Sequence, residues 1–481
     1  MTPTITILQR RADFVDPHDC TDAADDLTIL SAVFDTLVRR QGQSFVPHLA
    51  ESWTVSPDAR DWRFTLRPGV AFHDGTACDA KAVSLSLLRM AREDKGYTLG
   101  APAVWRQYLG DAVIDPDGLD LHIRLAAPMA DLLDVMVQAF IVSPASLPHM
   151  DVDEMEGAAG TGPYALASIA PGMVRLERAD SHFAGLALNQ TLVFRAVPDA
   201  GARAQALGVG SAQVATNLPF VADLGPDVTR VETLNPVAII FLMNAMKGPL
   251  IDSRIRRALD LALDRGDLVQ DVMEGGAFPL QGFISPLHFG AGQSPAPARN
   301  ADLARSLLAD AGFPGGLTLG VSCPTRLPDE AVRLTAALGD QLARIGVTLD
   351  VTYHEDREAY AHMVRRKEIR DLAVFDSSPL STYRVLVEKL DARVRGSWWE
   401  GYHNPQVEAL IDGGRVCADP ADRAAIYKRA YAVMQHDPPW LTLYNPIRVT
   451  GLAGSHPGFA LPTDAVLDAA RLPAFAQVPH G

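Results

Sequence analysis

Histidine, cysteine and acid side chains are where chemistry would start in this chain, and their spacing argues against a catalyst. His354-Glu355 and His362 do not form the His-Glu-x-x-His helix that holds zinc and presents a general base. There is no Gly-x-Ser-x-Gly turn to expose a nucleophilic serine and no Gly-rich phosphate loop ending in Gly-Lys-Ser/Thr. The 58 Asp and Glu residues contain no pair that stands out as an acid–base dyad. Cys20, Cys78, Cys323 and Cys417 are too far apart for a metal-binding Cys-x-x-Cys, and no catalytic-thiol motif surrounds any of them. Free thiols are the plain reading; a disulfide in an oxidising compartment has no partner that spacing could assign. The expectation is a protein that is not an enzyme and carries neither cofactor nor metal.

Bulk composition narrows the class further. The 481 residues exceed what one hydrophobic core supports, so two or three lobes are expected. Hydrophobic content of 48% with 21% charged residues is ordinary for a globular protein. No apolar run reaches the 18 or so residues of a membrane span; Val237 to Met243 suits a buried strand instead. A formal charge of −15 argues against nucleic acid or anionic membrane as partner, since phosphates demand clustered Lys and Arg. Arg365-Arg366-Lys367 reads as a solvated helix face. The first residues, Met1 to Leu8, start directly as a strand without a basic and apolar leader. Such a start fits either the mature form of an exported protein with an added Met or a chain that stays in the cytoplasm.

The elements that must position any site alternate between strand and helix, which points to α/β lobes. Thr4 to Leu8 predicts a strand and Asp26 to Leu37 a helix. Ser52–Ser56 and Trp62–Arg67 flank the turn residues Ser56-Pro57-Asp58-Ala59-Arg60, a hairpin. His73-Asp74-Gly75-Thr76 reads as a turn whose side chains serve the turn, after which Asp79 caps a helix from Ala80 to Met90. Ala112 to Leu125, interrupted by Asp115-Pro116-Asp117-Gly118, is a second hairpin. Gly157 to Tyr164 is a loop leading into a strand from Tyr164 to Ile169. Helices are expected over Asp252–Leu263, Asn300–Ala311, Asp329–Ile345 and Pro420–Gln435, with strands over Thr318–Ser322 and Thr348–Tyr353. Gly290 to Arg299 reads as a surface loop.

Several segments, in this order, carry a family resemblance. They are Phe34-Asp35-Thr36-Leu37, Pro47-His48-Leu49-Ala50-Glu51-Ser52-Trp53 and Arg67-Pro68-Gly69-Val70-Ala71-Phe72-His73-Asp74-Gly75-Thr76. Further on come Gly160-Thr161-Gly162-Pro163-Tyr164, whose glycines would permit positive φ, and Asp252-Ser253-Arg254-Ile255-Arg256-Arg257-Ala258-Leu259 with Asp264-Arg265. Gly401-Tyr402-His403-Asn404-Pro405 and Leu443-Tyr444 complete the set. Together they resemble the family-5 solute-binding proteins that capture peptides, nickel and opines for ABC transporters. The resemblance implies a class II periplasmic-binding-protein clamshell with an extra subdomain at about 39–160. Lobe one would span 1–242, lobe two 243–442, and 443–481 would return to lobe one. It also implies a monomeric, periplasmic carrier whose partners are a small-molecule ligand and a membrane permease.

The same resemblance implies site residues. Peptide-binding relatives hold the ligand's ammonium with an Asp in lobe two, where this chain has Leu372-Ala373-Val374-Phe375-Asp376; the plainer role for Asp376 is to brace the loop Ser377-Ser378-Pro379. Trp398 and Trp399, with Tyr402, fall where relatives place ligand-facing aromatics; adjacent tryptophans point differently, so one would meet ligand while the other packs. Trp105 corresponds to an aromatic of nickel-binding members, core packing beside Tyr108 being its alternative. His18, within Asp16-Pro17-His18-Asp19, lies in a segment that skirts the ligand. The arginine with which nickel-binding members grip chelator carboxylates is missing from Val137–Pro144, which weakens a nickel-chelate reading. His403 reads as polar surface. The ligand expected is a short peptide or peptide-like molecule, with an opine or nickel chelate, or a cytoplasmic sensor role for the same fold, as alternatives.

Overall fold

The computed structural model describes residues 4–19, 21–97, 104–280, 282–291, 298–326, 328–377 and 380–475. The chain forms two compact units, one built from residues 1–233 and 448–481 and the other from 234–447. It therefore passes between them at Thr233–Leu234 and at Ile447–Arg448, against expected crossings at 242–243 and 442–443.

In unit 1 the strand Thr4–Gln9 runs parallel to Thr191–Ala196, with Ile5 opposite Leu192 and Ile7 opposite Phe194. The sheet continues through the antiparallel strands Met173–Arg178 and Tyr164–Ala170. On its other side Val214–Leu218 joins Thr4–Gln9 and then pairs with residues Val449 to Leu452 of the return strand. Ile5, Ile7, Phe34, Tyr164, Phe194 and Leu452 form the buried core. A separate four-stranded antiparallel sheet holds both predicted hairpins, Ala50–Val55 with Asp61–Leu66 and Val113–Asp117 with Asp120–Arg124. Asp79 caps the helix Ala80–Met90 by accepting from the Ala82 N–H at 2.8 Å, the capping geometry that satisfies an otherwise orphaned donor.

Unit 2 has a different sheet. Leu317–Pro324 lies parallel to Val347–His354 and to Leu372–Asp376. Leu372–Asp376 pairs antiparallel with Ile239–Met243, which in turn pairs with Trp440 to Tyr444. The helices Ser253–Ala262, Ala301–Asp310 and Ala331–Ala343 cover this sheet with buried residues such as Ile255, Leu259, Ala304, Leu334 and Leu338. Asp252 and Asn300 cap the first two.

Three expectations are corrected. The first long helix spans Ala24–Val33 and stops short of Leu37, because Phe34 turns extended and the Val33 carbonyl accepts from the Gly162 N–H at 2.9 Å. Gly160 and Gly162 are required for close approach and not for positive φ: a Cβ on Gly162 would sit 2.6 Å from the Ala32 carbonyl oxygen, and one on Gly160 would collide with the Val33 carbonyl and the Phe34 ring. Lys367 leaves the solvated face expected of its basic run. Its backbone takes φ 62 and its amine donates to the carbonyls of Gly396 (3.1 Å) and Ser397 (2.7 Å). Cys78, Cys323 and Cys417 are free thiols; Cys20, Ser378, Pro379 and residues 292–297 of the predicted loop lie outside the described residues.

Candidate functional site

Pro324, His354 and Asp376 end three neighbouring parallel strands of unit 2. Carboxyl ends of parallel strands are where open α/β sheets gather ligands, because loops of free sequence follow them there. Around these ends the chain collects several groups. The Phe375 ring packs at 4.9 Å against Trp398, the two planes tilted by 38°. Two cations sit against the same ring, the Arg357 guanidinium at 5.4 Å and the Lys389 amine at 5.5 Å, an arrangement favoured by the ring's negative face. Lys389 also donates to the Asp376 carbonyl oxygen at 3.0 Å. It belongs to a π-helical turn, Arg384–Leu390, whose residues are all buried; such turns are rare and cluster at functional sites.

Asp376 is half-buried, and its carboxylate forms no hydrogen bond or ion pair with any described residue. Arg357 resembles it in this. Its Nη1 is buried without a hydrogen-bond partner among the described residues, and its guanidinium lies over the rings of Phe375 and Tyr360. Tyr360 supports the cluster from below, its hydroxyl donating to the carbonyls of Ser322 (3.1 Å) and Val374 (2.7 Å). Burial pushes that hydroxyl well above the usual phenol range.

The adjacent tryptophans do diverge. Trp398 meets Phe375, whereas Trp399 donates its indole N–H to the Tyr402 carbonyl at 2.6 Å and lies beneath Arg395. Tyr402 is 3% exposed, with Arg256 over its ring. Between them, Glu400 is 5% exposed and neither carboxyl oxygen has a partner among the described residues. Burial pushes its carboxyl up to about 8, outweighing the nearby Lys367 and Lys247 charges. His403 is exposed and pairs with Glu408 at 3.0 Å.

The remaining predicted residues belong to unit 1. Trp105 is 1% exposed and packs edge-on against Tyr108 at 6.0 Å, its indole N–H without a partner among the described residues. His18 is wholly buried and both ring nitrogens are engaged, Nε2 with Ser86 Oγ at 3.1 Å and Nδ1 with Arg89 at 2.8 Å. Burial lowers its pKa to about 3, so Arg89 donates to a neutral ring while pairing with Asp16 and Asp151. His73 and Asp74 do serve their turn: Asp74 accepts from Thr76 and from Ser143, and His73 binds the Gly162 carbonyl at 2.8 Å.

Unit 1 also contains a polar cluster that sequence reasoning did not single out. Asp35, wholly buried, accepts from His48 Nε2 (2.5 Å), His182 Nε2 (3.2 Å) and Thr161 Oγ1 (2.9 Å). The Ala184 N–H donates to His182 Nδ1, which fixes the proton on Nε2. Burial alone would raise the Asp35 carboxyl, but the hydrogen bonds from His182 and His48 outweigh it and hold it far below the usual carboxylate range.

Of the groups missed from sequence in unit 2, Arg357 had a readable signal. It follows the helix cap Asp356, whose side chain accepts from Glu358 and Ala359, directly after a predicted strand. Lys389 and Glu400 had none, since only the fold brings them to the sheet.

Comparison with known proteins agrees with this architecture. Residues 44–403 match the model for bacterial extracellular solute-binding proteins, family 5. The chain is 26% identical over 473 residues to the glutathione-binding protein GsiB of Pectobacterium atrosepticum, covering 94% of this chain and 90% of that one. The Escherichia coli K12 glutathione-binding protein GsiB is likewise 26% identical, over 461 residues, covering 92% and 88%. Among solved structures, the agropinic-acid complex of AgaA from A. tumefaciens R10 superposes with a TM-score of 0.80 at 21% identity, covering 97% of each chain. The Helicobacter pylori DppA complex with the peptide STSA gives 0.78 at 21% identity, covering 96% of each. The fold is thus that of the two-lobe periplasmic binding proteins, and the chain belongs to the bacterial extracellular solute-binding proteins of family 5, which capture solutes for ABC importers and are not enzymes.

Proposed function

We propose that this solute-binding protein captures a short peptide or peptide-like molecule and delivers it to its permease, with Asp376 holding the ligand's ammonium group. The observation that carries the reading is the Asp376 carboxylate, which ends a parallel strand and has no protein partner among the described residues. An ammonium ion is the natural complement, because charge-assisted hydrogen bonds are the strong ones. Trp398, already packed against Phe375, offers a flat apolar wall that costs little side-chain entropy. Trp399 and Tyr402 act behind it as a brace. In unit 1, Trp105 packs against Tyr108 and His18 engages Arg89.

The names of the relatives support this reading: a glutathione-binding protein and a peptide complex are among them. Native mass spectrometry of gently purified protein tests it. Co-purified masses of short peptides or of glutathione are expected. A nickel adduct, or an opine mass with no peptide, would overturn it.

A further inference from the structure

We propose that Glu400 is a proton-operated latch on segment 396–401, which carries Trp398 and Trp399. The latch is closed while the carboxyl holds its proton and loosened when that proton is lost to solvent. Its effect on solute capture rests on the wall proposed for Trp398; the latch itself does not.

The segment is clamped at both ends. A Cβ on Gly396 would collide with the Glu388 carbonyl oxygen, and one on Gly401 would lie 2.5 Å from the Met246 nitrogen. Gly401 also has φ 94, a conformation that favours glycine. Between the clamps, the Lys367 amine donates to the Gly396 and Ser397 carbonyls, and the Ala245 N–H donates to the Glu400 carbonyl at 2.8 Å. Ala245 follows Met243, which pairs with Leu372, whereas Asp376 pairs with Ile239. Glu400 is therefore held at the end of the strand Leu372–Asp376 opposite to Asp376, while Trp398 reaches Phe375. One short segment links the two ends.

The Glu400 carboxyl is unfinished. It is buried, and neither oxygen has a partner among the described residues. An isolated carboxylate in such a place is costly, and a proton is the smallest thing that removes the charge. The groups that face it are Lys367, which follows the helix Arg357–Arg365, the Tyr360 hydroxyl of that helix, and Lys247, which follows the strand Ile239–Met243. Burial outweighs the two cations, so the carboxyl titrates at about 8.

Ionisation would recruit Lys367, whose amine burial pulls down and the Glu400 charge pulls back up. An ammonium has three N–H donors, and two of these already hold the Gly396 and Ser397 carbonyls. A carboxylate forming nearby competes for them, because charge-assisted hydrogen bonds are the stronger ones. Each donor that turns to Glu400 leaves a carbonyl that held the tryptophan segment in place. Asp35 shows the contrast: three side-chain donors already meet its carboxylate, so it needs no proton.

Fluorine NMR of ligand-free protein labelled with 5-fluorotryptophan tests the latch, the two resonances being assigned with Trp398→Phe and Trp399→Phe. Both should move as pH rises from about 6 to about 10, with a midpoint near 8. In Glu400→Gln they should stay at their low-pH positions throughout. Lys247→Gln, at an exposed position, should move the midpoint upward by removing a cation that favours ionisation. Circular dichroism confirms folding across the range. Flat wild-type resonances, or a transition that persists in Glu400→Gln, would overturn the latch. A midpoint that Lys247→Gln leaves unmoved would assign the transition to another group.

Calorimetry with trialanine reads the consequence for capture. Glu400→Gln should match the wild type at pH 6 and bind about threefold more tightly, or better, at pH 9. Equal affinities at pH 9 would cut the latch off from capture. If trialanine binds at neither pH, the peptide reading fails, and the resonances alone decide the latch.

Discussion

Asp35 in unit 1 and the Asp376–Arg357 pair of positions in unit 2 are both sets of charged groups within apolar surroundings, yet they are finished to different degrees. Asp35 receives three side-chain donors, with Arg39 at 3.5 Å as a fourth neighbour. Those donors come from the loop before the strand Ala50–Val55, from the Gly160–Tyr164 segment and from the loop at His182, so one carboxylate ties three stretches of chain together. In unit 2 the Asp376 carboxylate, the Arg357 Nη1 and both Glu400 oxygens lack partners among the described residues. A saturated network fixes architecture; an open one costs stability unless a further molecule or a proton completes it. The two regions thus separate groups that tie the fold together from groups whose polar atoms lack a partner among the described residues.

The comparison breaks most readily at Asp35. Asp35→Ala strands two imidazole N–H donors and should cost about 3–5 kcal/mol, the scale for removing one partner of a buried charged network, read by urea unfolding at pH 7. Because the folded carboxyl lies far below its ordinary value, its contribution is present above the unfolded pKa of about 3.9. It is lost as pH falls through the folded value, so the gap between wild type and variant should narrow below about pH 4. A gap of under 1 kcal/mol at pH 7 would remove Asp35 from the architectural class.

Asp376→Ala should do the reverse. Affinity for an amine-bearing peptide should fall by at least ~2 kcal/mol, while unfolding stability moves by no more than about 0.5 kcal/mol. Unchanged calorimetric affinity would sink the ammonium assignment.

Glu400→Gln sharpens the distinction with a smaller effect. With its carboxyl raised to about 8 by burial, the folded state holds this proton more tightly than the unfolded chain. The wild type therefore loses stability as pH rises from the unfolded value towards and through 8. The amide mimics the protonated acid, so the variant should match the wild type near pH 4, below the unfolded value of about 4.3, and exceed it by a margin that grows to about 2 kcal/mol or more at pH 9. Equal melting temperatures at pH 9 would show that Glu400 is ionised at no cost.

Tyr360→Phe is the smallest test. It removes the one hydroxyl proton shared between two sheet carbonyls and should lower stability by about 1 kcal/mol while leaving peptide affinity unchanged. A tenfold affinity loss would place Tyr360 among the ligand groups.

Much of the fold was legible because local chemistry and final structure agree. The turn Ser56–Arg60 closes the hairpin its residues predict, Asp79, Asp252 and Asn300 cap the helices they precede, and the Trp398–Trp399 divergence follows from neighbouring residues leaving the chain in different directions. The order of motifs along the chain was enough to identify the family, and with it the candidate Asp376.

What sequence could not reach was decided at long range. The helix ending at Val33, the close packing of Gly160 and Gly162, and the half-buried Lys367 each depend on a backbone segment more than twenty residues away. The convergence of Arg357, Phe375, Lys389 and Trp398 needs strands and a π-helical turn brought to one sheet end. Periodicity and capping are properties of a few consecutive residues, so the sequence by itself determines elements and their type. Which buried charge finds a partner, and which is left open for a ligand, is settled only when distant segments pack, because hydrogen-bond completion is a matter of ångströms in three dimensions.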